Sequence, residues 1–127
     1  MKSKKIILRK TKKHVCKRFL STFIYSMAGF RNVFAETSFR YELLLVVLHV
    51  MAVLIIELTA LEILLTTITL VMLLVTEMIN TAIESVVDLV TSEKQPLAAR
   101  AKDIGSAAVF SCIVLFIIAW VVVICGE

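Results

Sequence analysis

The sequence predicts an all-α fold: an integral membrane helical bundle with three transmembrane helices and an N-terminal amphipathic surface helix. Three observations predict it. Hydrophobic residues are 60% of the 127, with a mean hydropathy of +0.96, above the composition of a soluble domain. Only three Gly and one Pro occur. The apolar residues gather into runs separated by short polar breaks, in a chain long enough for three or four spans and little else.

The N-terminus is strongly basic. Residues 1–18 hold nine Lys or Arg and no acid, so the formal net charge of +4 averages a basic tail with an acidic body. No aromatic interleaving or nucleic-acid fold signature follows it, so no nucleic-acid partner is expected. A basic run ahead of apolar segments suits anionic headgroups and a cytoplasmic N-terminus. No apolar core with a small-residue cleavage site follows directly, so it does not read as a signal peptide. Residues 1–16 are expected to form this tail and 17–127 the membrane-embedded domain.

From Lys17 to Phe34, Phe19, Leu20, Phe23, Ile24, Met27, Phe30, Val33 and Phe34 recur at helical spacing, opposite Arg18, Tyr25, Ser26 and Arg31. That pattern predicts a helix lying in the bilayer interface. Gly29 marks a close approach or a weak point within it. Ala35 to Glu42 reads as a polar break, with Glu42 solvated, and Leu43 to Ile56 as the first span. His49 stands alone in that run, with Glu42 its only acidic neighbour at helical spacing.

Glu57 and Glu62 bracket a turn without basic residues. Ile63 to Val75 is apolar, with Thr66, Thr67 and Thr69 in it. Leu89 to Asp103 reads as a loop carrying Lys94, Arg100 and Lys102, in which Pro96 breaks the helix and Asp103 caps the next one. Ile104 to Cys125 is the clearest span, 22 residues without a charge. Its Gly105-Ser106-Ala107-Ala108 opening allows close packing, and Trp120 fits an interfacial anchor. Cys16, Cys112 and Cys125 match no CxxC or zinc pattern and read as small apolar fillers. The positive-inside rule then sets the N-terminus and the Lys94–Lys102 loop in the cytoplasm.

The second apolar run ends in Thr76-Glu77-Met78-Ile79-Asn80-Thr81-Ala82-Ile83-Glu84-Ser85-Val86-Val87-Asp88. On a helix, Glu77, Asn80, Glu84 and Asp88 fall within roughly 80° of one another. Carboxylates in the inner-leaflet half of a span are expensive, a few kcal/mol each, so the stripe needs a positive partner. Mg²⁺ and phosphate groups, with Lys102, Arg18 and Arg40 nearby, are one answer. A cation path is the other, and spacing alone does not separate them.

The wording of the stripe says more. Glu77 to Asp88 resembles the E-x-x-N-[ST]-A-[IVL]-E-x-x-V-D signature of the prokaryotic diacylglycerol kinase family. Ala99-Arg100-Ala101-Lys102-Asp103-Ile104-Gly105-Ser106-Ala107-Ala108-Val109 is similar to its second motif, and Gly29 to Glu36 with Phe39-Arg40 to its N-terminal region. The resemblance spans about Arg18 to Trp120. It implies a homotrimer in the bacterial cytoplasmic (inner) membrane, with active sites shared between subunits. The implied reaction moves the γ-phosphate of MgATP to the primary hydroxyl of diacylglycerol, giving phosphatidic acid. No GxxxxGK[ST] loop is present.

Carried over by position, the resemblance makes Glu77 the general base and Asn80 the group that positions the reactants. Glu84 and Glu36 would hold the metal and meet the nucleotide. Asp88, Lys102 and Asp103 match nucleotide-site positions, and Arg18, Tyr25 and Ser26 fall where the surface helix approaches the nucleotide. Arg40 and Ser106, with Glu77, are expected beside the lipid. Two features depart from the pattern or leave it open: the basic tail is longer than the family's, and the family includes an undecaprenol kinase branch. The Arg100–Ala108 wording and Glu42 lean toward diacylglycerol. A small cation-coupled transporter is the reading from another class, and the basic Lys94–Lys102 loop and Glu36 speak against it.

Overall fold

The computed structural model describes residues 18, 20–91, 93 and 95–126. The basic tail over residues 1–16, with Cys16, lies outside the described residues, as does Lys94. The chain divides into two units, Met1–Glu36 and Thr37–Glu127.

In the first unit, residues 20–33 form helix α1. Its apolar side chains Leu20, Phe23, Ile24, Met27 and Phe30 are exposed, as an interfacial helix requires. The hydroxyls of Ser21 and Thr22 return to the Arg18 carbonyl, and that of Ser26 to Thr22. A methyl built on Gly29 would meet nothing within 4 Å, so the close approach expected there is not found among the described residues.

The second unit holds helices α2 (Thr37–Ile55), α3 (Ala60–Val90) and α4 (Pro96–Cys125). All three are long and apolar enough to cross a membrane. At 1.5 Å per residue, α3 is about 46 Å long and outruns a hydrocarbon core of about 30 Å. Its polar C-terminal turns can therefore stand at or beyond the boundary. Helix α4 packs on α3 far more extensively than α2 does. The buried residues of α3 are Thr66, Leu70, Leu73, Glu77 and Asn80, alternating by four and three as near-parallel packing demands. Those of α4 are Gly105, Cys112, Phe116 and Val123.

The structure departs from the sequence expectations at several places. The polar break before the first span is largely helix, because α2 begins at Thr37 and meets no Gly or Pro that would delay it. Glu42 is consequently buried on α2 and not solvated. The loop expected from Leu89 to Asp103 shrinks to residues 91–95. Pro96 opens α4 rather than breaking a helix, since its missing N–H falls where no intrahelical partner exists. Asp103 therefore lies inside α4 and caps nothing; the capping position is Gln95. The turn before α3 is also shorter, because Glu62 is the third residue of that helix. Thr59 and Glu62 form a capping box there, with the Thr59 N–H donating to Glu62 Oε2 over 2.7 Å.

Within the spans, Thr66, Thr69 and Thr76 return their hydroxyls to carbonyls one turn back, which satisfies them without water. His49 Nε2 meets Thr67 Oγ1 at 3.1 Å, joining α2 to α3. Trp120 is half-buried and meets His49 edge-on at a centroid distance of 5.6 Å, and His49 also meets Phe116 edge-on at 6.2 Å. Cys112 is the buried filler expected and touches the Thr76 hydroxyl; Cys125 is exposed and fills no gap.

Candidate functional site

The site is built on the last four turns of α3. No Gly or Pro occurs from Ala60 to Val90, so the helix continues unbroken through the acidic stripe. The i, i+3, i+7, i+11 spacing brings Glu77, Asn80, Glu84 and Asp88 onto one side. Burial falls along that stripe. Glu77 is 4% exposed and Asn80 7%, Glu84 is half-buried, and Asp88 is exposed. The stripe thus runs from a dry carboxylate to a wet one.

Each polar group has a distinct neighbour. Glu42 of α2, 7% exposed, is close enough to Glu77 to repel it electrostatically. Two buried carboxylates that repel each other are costly unless something positive sits against them. Asn80 donates from Nδ2 to Glu84 Oε1 over 3.2 Å, while its Oδ1 is buried without a hydrogen-bond partner. Lys102 of α4 donates to Asp88 Oδ1 over 2.6 Å, and both side chains are partly exposed. Beyond that ion pair a cleft of about 770 Å³ opens between the end of α3 and the start of α4. Val87, Asp88, Thr91, Glu93, Pro96 and Lys102 are among the residues lining it.

Of the residues singled out from sequence, the structure brings Asn80 to Glu84 and Asp88 to Lys102, with Glu77 one turn before Asn80. Asp103 and Ser106 are exposed on α4, and Arg40 is exposed in the first turn of α2. Arg18, Tyr25, Ser26 and Glu36 belong to the first unit and are exposed there. Two residues were missed. Glu42 reads as part of a polar break, although its spacing of three from Phe39 and seven from His49 marks one helical face. Gly105 reads from sequence as a packing aid, and in the structure it abuts Asn80. No three His, Cys, Asp or Glu side chains converge as a complete metal cage among the described residues.

Comparison with known proteins adds the family. The model described as prokaryotic diacylglycerol kinase matches residues 24–124. A protein of Pseudomonas aeruginosa named Diacylglycerol kinase is 35% identical over 111 residues, covering 87% of this chain and 90% of its own length. Its namesake in Haemophilus influenzae is 35% identical over 97 residues, covering 76% of this chain and 82% of that one. The Diacylglycerol kinase of Escherichia coli K12 is 36% identical over 101 residues, with 79% and 83% covered.

Proposed function

The chain belongs to the prokaryotic diacylglycerol kinase family, and we infer from this that it is a multi-pass membrane lipid kinase that phosphorylates diacylglycerol. The observation that carries the reading into chemistry is the graded stripe on α3. A carboxylate shielded from water sits one turn from an amide–carboxylate pair, and an ion-paired cleft follows.

In this reading ATP is the phosphoryl donor and enters the cleft bounded by Asp88 and Lys102, with Asp103 near its α4 wall. Arg18, Tyr25, Ser26 and Glu36 of the first unit contribute to nucleotide binding. Glu77 is the general base. Its burial keeps bulk water away from the carboxylate that would accept the proton of a lipid hydroxyl. As the proton moves to Glu77, the lipid oxygen bonds to the γ-phosphorus and the bond to the bridging oxygen breaks, releasing ADP. Asn80 orients Glu84, and Arg40 and Ser106 border the lipid.

The donors fit a hard divalent cation. Glu84 supplies carboxylate oxygens on α3 and the resemblance implies Glu36 as the second ligand; Mg²⁺ typically takes one or two such groups with phosphate and water. When bound, Mg²⁺ would neutralise phosphate charge, which together with positioning is most of what phosphoryl transfer needs. The basic N-terminus supports a cytoplasmic N-terminus in the bacterial inner membrane. The domain over residues 17–127 would act as a homotrimer, the arrangement implied by the resemblance. Residues buried within one chain are few along each span, which leaves apolar faces for lipid and for neighbouring subunits.

The relatives reported above carry the diacylglycerol name, so undecaprenol is not favoured as substrate, nor is a transport function. The test offers the purified protein diacylglycerol and undecaprenol in parallel, in mixed micelles with ATP and Mg²⁺. Phosphatidic acid as the major product is expected. Preferential phosphorylation of undecaprenol would move the protein to the other branch, and no transfer to either would remove the activity.

A further inference from the structure

Gly105 lies on the buried face of α4, and the three residues after it, Ser106, Ala107 and Ala108, are exposed. Of the four small residues Gly105 to Ala108, Gly105 is the one buried within the chain. A methyl group built there would overlap Asn80 Oδ1 and approach Asn80 Cγ to 3.3 Å and Cβ to 3.8 Å. These three nearest atoms all belong to one side chain. The space that Gly105 leaves is filled by the Asn80 amide.

That amide is held on one side only by hydrogen bonding. Nδ2 donates to Glu84 Oε1 over 3.2 Å, and Oδ1 is buried with no partner. No hydrogen bond to Oδ1 fixes the plane of the amide, so a steric wall must. We propose that Gly105 is a positioning residue for the phosphoryl transfer: its bare Cα lets the Asn80 amide lie in the plane that keeps Nδ2 on Glu84. A side chain at 105 would turn the amide, withdraw Nδ2 and release the Glu84 carboxylate. The contact stands on geometry alone. Its consequence for catalysis rests on the function proposed above, in which Glu84 helps to hold the metal.

The test is a double-mutant cycle with Gly105→Ala, Asn80→Ala and the pair, read by metal-free melting in detergent and by turnover across a Mg²⁺ titration. Gly105→Ala is expected to lower turnover about 10- to 100-fold, the scale of a misplacement of roughly 1 Å. The Mg²⁺ concentration for half-maximal activity rises with it, which a packing defect that merely reduced the folded fraction would not cause. In the Asn80→Ala background the methyl costs nothing more in melting or in turnover, because the side chain it meets is gone. Additive losses overturn the proposal, as does a Gly105→Ala protein with wild-type turnover and Mg²⁺ midpoint. If Gly105→Ala alone does not fold, recovery of folding in the double variant supports the contact, and persistent misfolding overturns it. A wild-type protein that transfers no phosphate defeats the proposed function and with it the catalytic consequence, while the melting cycle still decides the contact.

Discussion

The Asn80 amide and the Glu84 carboxylate are joined across one turn of α3, Nδ2 to Oε1 at 3.2 Å. The bond uses one oxygen of the carboxylate; among the described residues the other accepts no hydrogen bond. An outer group that orients a ligand in this way commonly accounts for a 10- to 100-fold difference in metal affinity.

Asn80→Ala should therefore raise the Mg²⁺ requirement by about 10- to 100-fold while the protein stays folded. A Mg²⁺ titration of turnover, paired with a melting curve, checks this. An unchanged midpoint would remove Asn80 from the support of Glu84.

Lys102 and Asp88 form a 2.6 Å ion pair whose side chains are 37% and 65% exposed. Pairs so open to solvent contribute about 0–1 kcal/mol to stability. Lys102→Met should leave the melting temperature nearly unchanged. If the pair borders the nucleotide, the apparent KM for ATP should rise roughly tenfold, the equivalent of about 1.4 kcal/mol lost from a charge-assisted contact. A fall in stability with an unchanged KM would make the pair structural.

His49 and Thr67 link α2 to α3 at 3.1 Å, away from the acidic stripe. Hydrogen bonds between spans average about 0.6 kcal/mol. Thr67→Val should destabilise by about that much and leave turnover near wild type. His49→Ala should destabilise more, because packing against Phe116 and Trp120 is lost as well. Equal losses in the two variants would mean that the rings contribute nothing.

The Thr59–Glu62 capping box starts α3 at the end far from the site. Thr59→Ala should cost about 1 kcal/mol by the usual loss of a cap. Melting should report it, and turnover at a temperature where both proteins are folded should not.

The three spans were legible because unbroken apolar runs have few other uses, and the acidic stripe because its spacing survives whatever packs against it. Where helices began was harder to read. Pro96 reads as a breaker unless its place as first residue of a helix is recognised, and that place depends on where α3 ends. Glu42 reads as part of a polar segment because Glu36, Arg40 and Tyr41 surround it, although its spacing from Phe39 and His49 puts it on the buried face of α2. The edge-on contact of Trp120 with His49 joins two helices, and the sequence alone does not show which rings meet. Glu77, Asn80 and Glu84 could be named from their motif, but the Gly105–Asn80 contact required the register of α4 against α3.

Glu77→Gln tests the central claim most directly, because it keeps the shape and hydrogen bonding of a side chain that is 4% exposed and removes its basicity. Transfer of labelled phosphate from ATP to diacylglycerol should be measured for the variant and the wild type in the same micelles, with melting and oligomer size as controls. The account predicts a folded protein with transfer abolished. Near-normal transfer by the variant would contradict it and remove Glu77 as the base.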